Sequence, residues 1–424
     1  MTDEATATDR LKEPVAPASS GRFSAFARSL VRRQLEGLQH GVIAVSDPWG
    51  DWEVGVGKPV TSLIVNRPDF YVDVLFDGSL GAARSWFDRG WDSDDIVSLL
   101  RLMVRNIELL DTVEGGFAAV GQLAARVRHA LRRNSRRGAR ENIVAHYDLG
   151  NDFFARFLDP SMTYSCALFD KAHSSLEDAQ VSKLDRICVL LELSQDDHIL
   201  EIGTGWGSFA LHAAGEYGCK VTTTTISQEQ AKLARQRIED AGLSERVTVL
   251  LEDYRDLPGR MSQPFDKLVS IEMVEAVGHK FLPTFFETCS SLLHDEGVMA
   301  LQAITMPNQR YEHYLKTSDF IQQHIFPGSC CPSLNALCAA VAQGTDMRIS
   351  RVEDIGAHYA PTLRLWRESL ESQWAQMRES GFDDRFLRMW QYYFAYCEAG
   401  FAERYTGNVH MVLEKPGSRL GARI

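Results

Sequence analysis

The 424-residue chain has no apolar run approaching the roughly 18 residues that a membrane-spanning helix needs, so no bilayer crossing is predicted. Its eight cysteines include no CxxC pair, and no HExxH motif accompanies its 12 histidines. These absences argue against a disulfide framework and a zinc site, and we expect no metal. The N-terminus lacks an apolar run followed by a cleavage site, which favours a cytoplasmic protein with reduced thiols.

Positive charge is also scarce. The 45 Lys and Arg residues are outnumbered by 57 Asp and Glu, and the net charge of −12 argues against a nucleic-acid-binding protein. Seven arginines are nevertheless concentrated in residues 126 to 140, RVRHALRRNSRRGAR. This stretch predicts either contact with anionic phospholipid head groups or a solvated linker whose arginines pair with acids of a neighbouring domain or subunit.

The chain is too long for one ordinary domain, and its composition suggests where it divides. Residues 1 to 20, rich in Ala, Thr, Ser and Pro, are predicted to be a disordered tail. Residues 21 to 125 are interpreted as a smaller N-terminal α+β domain and residues 126 to 140 as a basic linker. Residues 141 to 424 then form the larger domain.

The N-terminal domain opens with a predicted helix, FSAFARSLVRRQLEGL, in which Phe23, Phe26, Leu30 and Leu35 recur at roughly helical spacing. Its apolar side either packs on its own domain or, helped by three nearby arginines, lies on anionic lipid. DWEVGVG and SLIVNR are interpreted as strands. The segment beginning FYVDVLFDG predicts one or two strands and then helices, with an acidic cap at residues 92 to 95 before the last helix.

From residue 198 onward, strand-like and helix-like segments alternate, which is typical of a parallel sheet covered by helices on both faces. The strands are predicted in HILEIG, KVTTTTIS, VTVLLEDYRD, FDKLVSIEMVEAVG and HDEGVMALQAIT. Gly203, Ser227, Asp253 and Glu275 should then lie along one edge, where open α/β sheets bind ligands.

The first predicted strand leads into the glycine turn EIGTGWG, in which Gly203, Gly205 and Gly207 allow close approach to a ligand. A dinucleotide fingerprint requires G-x-G-x-x-G, but Ser208 occupies its last position, which disfavours NAD. The pattern E-x-G-x-G-x-G instead resembles the first motif of class I S-adenosylmethionine-dependent methyltransferases. It therefore indicates a Rossmann-like α/β sheet.

Further motifs extend the resemblance from about Glu141 to Lys415. They are HYDLGNDFFARFLD, MTYSCALF, TISQEQ, DYRDL, MVEAVG, FIQQHIFPG, HYAPTLRLW and RMWQYYFAYCEAGF. With the glycine turn, they resemble the cyclopropane fatty acid synthase family, the S-adenosylmethionine-dependent cyclopropane-fatty-acyl-phospholipid synthases. The resemblance implies methyl transfer to the cis double bond of an unsaturated phospholipid acyl chain, followed by proton loss that closes a cyclopropane ring.

The resemblance also implies a bound bicarbonate ion as the base that removes this proton. The catalytic set that it implies is Cys166, Glu275, Gln302, the backbone at Ile304, and Tyr359. Glu275 is expected to be protonated, because burial beside an anion raises the pKa of a carboxyl group. Gln302 stands where many members carry histidine, so either the base is weaker here or a different proton is lost. A methylene-branched acyl chain therefore remains a second possible product.

The segment HYDLGNDFFARFLDPSMTYSCALFD, residues 146 to 170, is interpreted as a lid over S-adenosylmethionine. The cofactor set that the resemblance implies is Tyr164, Ser165, Glu201, Gly203, Gly205, Trp206, Gly207, Thr225, Ser227, Gln230, Asp253 and Tyr254. In this set the glycine turn lies against the methionine portion. Thr225, Ser227 and Gln230 reach the ribose, and the last two residues frame the adenine.

The family resemblance further implies a homodimer that is peripherally associated with the inner face of the membrane, where it meets unsaturated phospholipid. Two other classes of function remain open. A non-catalytic lipid-binding protein on the same fold would predict a broken glycine turn or the loss of Cys166 and Glu275, and neither is lost. Methylation of nitrogen or oxygen on a small molecule would leave the YSCA motif unexplained.

Overall fold

The computed structural model describes residues 21–115, 150–171 and 174–420. The predicted tail at residues 1 to 20 and the basic stretch at residues 126 to 140 lie outside these ranges, as do residues 146 to 149 of the predicted lid. The domain boundaries therefore stay predictions. The described residues form two units, each built around its own β-sheet.

The N-terminal unit is a four-stranded sheet with helices, in the order β2-β1-β3-β4. Strand β1 pairs antiparallel with β2 and parallel with β3. The elements are α1 (Arg22–Leu35), β1 (Gly41–Asp47), β2 (Gly50–Val56), β3 (Val60–Val65), α2 (Asp69–Phe87), β4 (Trp91–Asp92), α3 (Ile96–Arg105) and α4 (Ile107–Gly115).

Helix α1 confirms the predicted helix and part of its predicted apolar side. Leu35 is buried and Leu30 packs against the core, together with Ala27 and Val31, so the helix packs on its own unit. Phe23 and Phe26, which were predicted on the same side, are 52% and 55% exposed. The two phenylalanines are therefore left on the surface.

The strands predicted in FYVDVLFDG are wrong, because these residues form the first half of α2. Their aromatic and β-branched side chains favour a strand locally, but burial of Phe70, Tyr71 and Leu75 follows a helix face. The helix bends at Gly78, whose φ of +55° lies outside the helical region. The acidic cap is confirmed, since Asp95 caps α3 by accepting a hydrogen bond from the Ser98 N–H.

The C-terminal unit contains a seven-stranded sheet in the order β10-β11-β9-β8-β5-β6-β7. Its strands are β5 (His198–Ile202), β6 (Lys220–Thr225), β7 (Val247–Leu251), β8 (Phe265–Ile271), β9 (Leu293–Thr305), β10 (Arg348–Asp354) and β11 (Gly407–Glu414). Strands β5 to β9 run parallel, and β11 is antiparallel to both of its neighbours.

Helices cover both faces of this sheet, because neighbouring strand residues such as Ile199 and Leu200 are buried in different apolar clusters. The helices of this unit are α5 (Asn151–Phe154), α6 (Leu176–Leu190), α7 (Ser208–Glu216), α8 (Gln228–Asp240), α9 (Leu282–Ser291), α10 (Asn308–Tyr314), α11 (Leu334–Gly344), α12 (Tyr359–Ser372), α13 (Trp374–Glu379) and α14 (Asp384–Ala402). The layered α/β architecture predicted from the alternating segments is therefore confirmed.

All five predicted strands are present, but two details differ from the prediction. Strand β8 ends at Ile271, so Glu272 rather than Glu275 directly follows it. Strands β10 and β11 were not predicted, and β11 lies between β9 and β10 at the sheet's antiparallel side. Both differences matter for the site.

The two units share an apolar cluster that joins α2 and α3 to α12 and α14. Arg388 of α14 reaches across it, donating hydrogen bonds to the Trp86 and Trp91 carbonyl oxygens at 2.7 and 3.2 Å. The N-terminal unit is thus anchored over the C-terminal ends of the larger sheet. Across the described ranges, no helix combines the length and apolar content needed to cross a bilayer.

Candidate active site

A cavity of about 580 Å³ extends from the C-terminal ends of the parallel strands to the N-terminal unit. Residues after β5, β6 and β7 form one end of its wall, and Glu272, Glu275, Ile304 and Tyr359 form its middle. Apolar side chains of α1, α3 and α4 line its far end, including Val31, Leu35, Leu99, Met103 and Leu110. The cavity therefore joins a polar end to an apolar end.

The glycine turn forms the polar end. Gly203, Gly205 and Gly207 have φ values of +104°, +51° and +87°, which favour glycine strongly. The N–H groups of Gly203 and Thr204 donate to the Thr224 carbonyl oxygen, which fixes the turn against β6. The exposed backbone of the turn can therefore lie directly against a ligand.

The structure brings ten of the twelve predicted cofactor residues to the cavity wall. They are Tyr164, Ser165, Glu201, Gly203, Gly205, Trp206, Thr225, Gln230, Asp253 and Tyr254. Gly207 instead begins α7, and Ser227 caps α8 by accepting from the Gln230 N–H. Gln230 is oriented at the end of β6 by the Thr225 hydroxyl, which donates to its Oε1 at 2.8 Å.

Two buried ionisable groups stand beside this end, and sequence reasoning found only Glu201. Burial raises the pKa of Glu201 to about 8, and its Oε2 has no hydrogen-bond partner among the described residues. Lys183 of α6 donates from Nζ to Ser165 Oγ at 2.8 Å, and burial lowers its pKa to about 8. The unpartnered carboxyl oxygen of Glu201 and the ammonium group of Lys183 fit the amino and carboxylate groups of S-adenosylmethionine.

The predicted lid contacts the glycine turn directly. Trp206 Nε1 donates to Asn151 Oδ1 at 2.7 Å, and the Trp206 and Phe154 rings lie 5.0 Å apart. Ser208 Oγ donates to the Ser161 carbonyl oxygen at 2.7 Å. The described part of this segment therefore packs over the glycine turn.

Glu272 is the centre of the polar groups in the middle of the cavity, and the sequence prediction missed it. Its Oε1 accepts from the Cys166 N–H at 2.9 Å, from Gln302 Nε2 at 2.8 Å and from Asn408 Nδ2 at 2.6 Å. Its Oε2 accepts from the Tyr359 hydroxyl at 2.7 Å. Three of these four donors belong to residues that the sequence assigned to a bound anion.

Cys166 and Gln302 lie behind Glu272 rather than on the cavity wall. The Cys166 thiol lies 3.3 Å from the Ala167 carbonyl oxygen, and burial raises its pKa well above the usual value. Gln302 Oε1 can only accept, so His410 Nε2 donates to it at 3.0 Å. Burial lowers the pKa of His410 to about 3, so the ring is neutral and carries its one proton on Nε2. This contact turns the Gln302 amide group toward Glu272.

Glu275 is the second carboxyl group in the cavity. Burial, and then repulsion by Glu272, raises its pKa to about 8, so it carries a proton at neutral pH. Its Oε1 accepts from the Ile304 N–H at 2.6 Å, and its Oε2 has no partner among the described residues. The expected protonation of Glu275 therefore agrees with its surroundings.

Glu272, Asn408, His410 and Lys183 are the site residues that sequence reasoning missed. The sequence offered two weak signals: a glutamate directly after a mostly apolar strand, and the largely apolar run NVHMVLE near the C-terminus. For Lys183 no sequence signal was available, because its burial, like that of Gln180 on the same helix, is known only from the structure.

Comparison with known proteins agrees with this geometry. Residues 134–411 match the family model of mycolic acid cyclopropane synthetase. The tuberculostearic acid methyltransferase UfaA1 of Mycobacterium tuberculosis is 37% identical over 413 residues, which cover 95% of this chain and 93% of that protein. The cyclopropane-fatty-acyl-phospholipid synthase of Escherichia coli is 35% identical over 352 residues, covering 82% and 86%.

Solved structures give the same result. The cyclopropane synthase MmaA2 from Mycobacterium tuberculosis has a TM-score of 0.60 at 29% identity, covering 65% of this chain and 98% of that chain. The mycolic acid cyclopropane synthase CmaA1, complexed with SAH and CTAB, has a TM-score of 0.59 at 31% identity, with the same coverage. These matches confirm the class I methyltransferase fold. The chain is therefore an S-adenosylmethionine-dependent methyltransferase that belongs to the cyclopropane synthase family.

Proposed function

We propose that the protein transfers the methyl group of S-adenosylmethionine to the cis double bond of an unsaturated phospholipid acyl chain and then closes a cyclopropane ring. The observation that carries the proposal is the cavity itself. It is one cavity whose wall includes the glycine turn, two carboxyl groups, and the apolar side chains of α1 and α3. An acyl chain in the apolar end would present a mid-chain carbon beside the polar groups.

S-adenosylmethionine supplies an electrophilic methyl group when it is bound. Aromatic residues of the cavity wall, including Tyr164, Phe326, Tyr393 and Phe401, exclude water from the alkene and offer ring faces to a positive charge on the acyl chain. Tyr164 and Tyr393 are joined by a hydrogen bond of 3.1 Å between their hydroxyl groups. These side chains orient the chain and stabilise the cation that methylation leaves.

Bicarbonate does not fit the middle of this cavity as the family resemblance predicted. The Cys166 N–H, the Gln302 amide and the Tyr359 hydroxyl, which were expected to hold the ion, all donate to the Glu272 carboxylate. Two expected donors remain. The Ile304 N–H donates to Glu275, and the Glu275 carboxyl group keeps one oxygen without a partner among the described residues. No step of the mechanism is therefore assigned to bicarbonate.

A methylene-branched acyl chain is the second candidate product. The relative that covers 95% of this chain is named as a tuberculostearic acid methyltransferase, and its name mentions no ring. Gln302 also departs from the histidine that the resemblance led us to expect. Both products require the same methyl transfer to the alkene and the loss of one proton.

The product is tested by gas chromatography with mass spectrometry of fatty acid esters from a host that lacks its own synthase. We expect a product 14 mass units heavier than the parent monounsaturated ester, with no alkene remaining. The same mass with a retained alkene would identify the methylene-branched product. A Gly205→Val variant, altered in the glycine turn, is the control for background methylation. No new ester in the host would contradict the proposed function.

We also propose that an anionic phospholipid bilayer contacts the surface formed by Phe23, Phe26 and Phe76 together with Arg22 and Arg33. The Phe23 and Phe76 rings stack at 6.0 Å, and the two arginines are exposed on the same helix as Phe23. Val31 and Leu35, on the other side of α1, line the apolar end of the cavity. This helix thus places a surface suited to lipid next to the space for an acyl chain. The predicted homodimer remains a prediction.

Replacement of both Phe23 and Phe26 by serine is expected to weaken vesicle binding at least tenfold. Each phenylalanine ring contributes about 1 to 3 kcal/mol when it leaves water, and partial insertion of two rings exceeds the 1.4 kcal/mol of a tenfold change. Co-sedimentation with phosphatidylglycerol vesicles measures the effect. The matched control is Val56→Ser with Val60→Ser, which removes two other exposed apolar side chains. Equal losses in both pairs would contradict the proposed surface.

A further inference from the structure

We propose that Glu272 is the base that removes the proton after methyl transfer, so that a side-chain carboxylate replaces the expected bicarbonate ion. The proposal rests on the proposed function and adds a catalytic residue to it.

Four hydrogen-bond donors converge on this carboxylate. Its two oxygens accept from the Cys166 N–H, the Gln302 amide, the Asn408 amide and the Tyr359 hydroxyl, all within 2.9 Å. A bicarbonate ion and a carboxylate present the same edge of two oxygens to such donors. The side chain therefore already fills the place that these donors would otherwise offer to an anion.

The backbone at Glu272 has a φ of +47°. This region is sparsely populated by residues other than glycine, and such backbone strain is concentrated at functional sites. The conformation is held by the Glu272 N–H, which donates to the Gln302 carbonyl oxygen at 2.9 Å. Glycine would relieve the strain at this position but would leave the four donors without a carboxylate.

The position of Glu272 is that of a base and not of a carboxylate that only supports the fold. A carboxylate that only cross-links elements would be sealed from the cavity, but Glu272 lines it. Its Oε2 accepts one hydrogen bond, from Tyr359, and therefore has acceptor capacity left for a proton. The adjacent Glu275 is protonated at neutral pH, because burial and the Glu272 charge raise its pKa to about 8. The two neighbouring carboxyl groups therefore have different roles.

The proposed step balances without another reactant. Methyl transfer leaves a cation at the alkene carbon next to the methylated one. The Glu272 carboxylate takes a proton from the new methyl group, and the electron pair of that C–H bond forms the third bond of the ring. For the methylene-branched product, a hydride first moves from the methylated carbon to the cationic carbon, and the same electron pair then forms the exocyclic double bond. Glu272 is left as the carboxylic acid and returns its proton to solvent after product release.

The test begins with the Glu272→Gln variant of the full chain, assayed with S-adenosylmethionine and vesicles of dioleoyl phosphatidylglycerol. We expect product formation to fall by about 10²- to 10⁴-fold, the usual contribution of a general base. Calorimetry should show S-adenosylmethionine binding within about twofold of the unmodified protein, since Glu272 acts after methyl transfer. Glu312→Gln, which removes an exposed carboxylate on α10, is the matched control and should leave product formation unchanged.

A Glu272→Gly variant supplies a test with a gain of function. It removes the strained side chain and frees the four donors, so added bicarbonate should bind there and restore product formation. Binding is read independently of activity from the line width of [¹³C]bicarbonate in nuclear magnetic resonance spectra. We expect broadening with the Gly variant and none with the unmodified protein, whose activity should not change when carbon dioxide is removed from the buffer.

The outcomes distinguish the two proposals. If the unmodified protein and the Glu272→Gln variant form equal amounts of product, the role of Glu272 is overturned and the proposed function stands. Loss of the unmodified protein's activity on removal of carbon dioxide, restored by bicarbonate, would also overturn it. If the unmodified protein forms no methylated acyl product, the proposed function fails, and this inference fails with it.

Discussion

Replacement of Arg388 by methionine is expected to lower the free energy of unfolding by about 3 kcal/mol, because two buried backbone carbonyl oxygens lose a charged donor. The Trp86 oxygen keeps the Arg89 N–H as a donor. The guanidinium group donates to the Trp86 and Trp91 oxygens and lies 4.0 Å from the centre of the Trp86 ring. It also pairs with Asp92 at 2.7 Å, but the partly exposed Asp92 makes this ion pair the smaller contribution. Urea denaturation of both proteins measures the difference.

Arg385 offers a matched control on the same helix. Its Nε donates to Asp88 Oδ1 at 2.8 Å, which also joins α14 to the N-terminal unit, but both side chains are substantially exposed. Arg385→Met should therefore cost less than about 1 kcal/mol. If the two variants are equally stable, the buried carbonyl groups do not anchor the N-terminal unit. A large effect at Arg388 alone would show that one buried donor holds the apolar end of the cavity together.

The glycine turn could be predicted because the signal and the geometry are local. Gly203, Gly205 and Gly207 have positive φ values, and the strand that precedes them, HILEI, is short and mostly buried. The buried strands of the parallel sheet are predictable for the same reason. The error in FYVDVLFDG arose where local preference and tertiary packing disagree, since Tyr71 and Leu75 are buried only because α2 packs as a helix.

Glu272 could not be predicted with the same information. Its partners come from β9, β11, the start of α12 and the lid, up to 136 residues away in the chain. The sequence predicted that the strand ends at Glu275. In the structure β8 ends at Ile271, so Glu272 is the residue at the edge of the sheet. Asn408 and His410 were missed with β11, whose place between β9 and β10 depends on topology that no local pattern specifies.

Replacement of Glu275 by glutamine is expected to change the pH dependence of the unfolding free energy. Between pH 5 and 8.5, the variant should gain on the order of 4 kcal/mol relative to the unmodified protein. Burial and the Glu272 charge raise the pKa of Glu275 from 4.5 in the unfolded chain to about 8. The native state therefore holds this proton more tightly than the unfolded state does. Its contribution to stability is complete below pH 4.5 and is lost as pH rises through about 8.

The measurement is the difference in unfolding free energy between Glu275→Gln and the unmodified protein at several pH values from 5 to 8.5. Glutamine does not titrate, so the variant should gain relative stability steadily over this range, while contributions from other groups cancel. Glu312→Gln, at an exposed position, should give a difference independent of pH. Because repulsion by Glu272 is part of the cause, the same comparison in a Glu272→Gln background should give a smaller change. If the difference in unfolding free energy between Glu275→Gln and the unmodified protein does not vary with pH, Glu275 is charged in the cavity. The different roles assigned to the two carboxyl groups would then be contradicted.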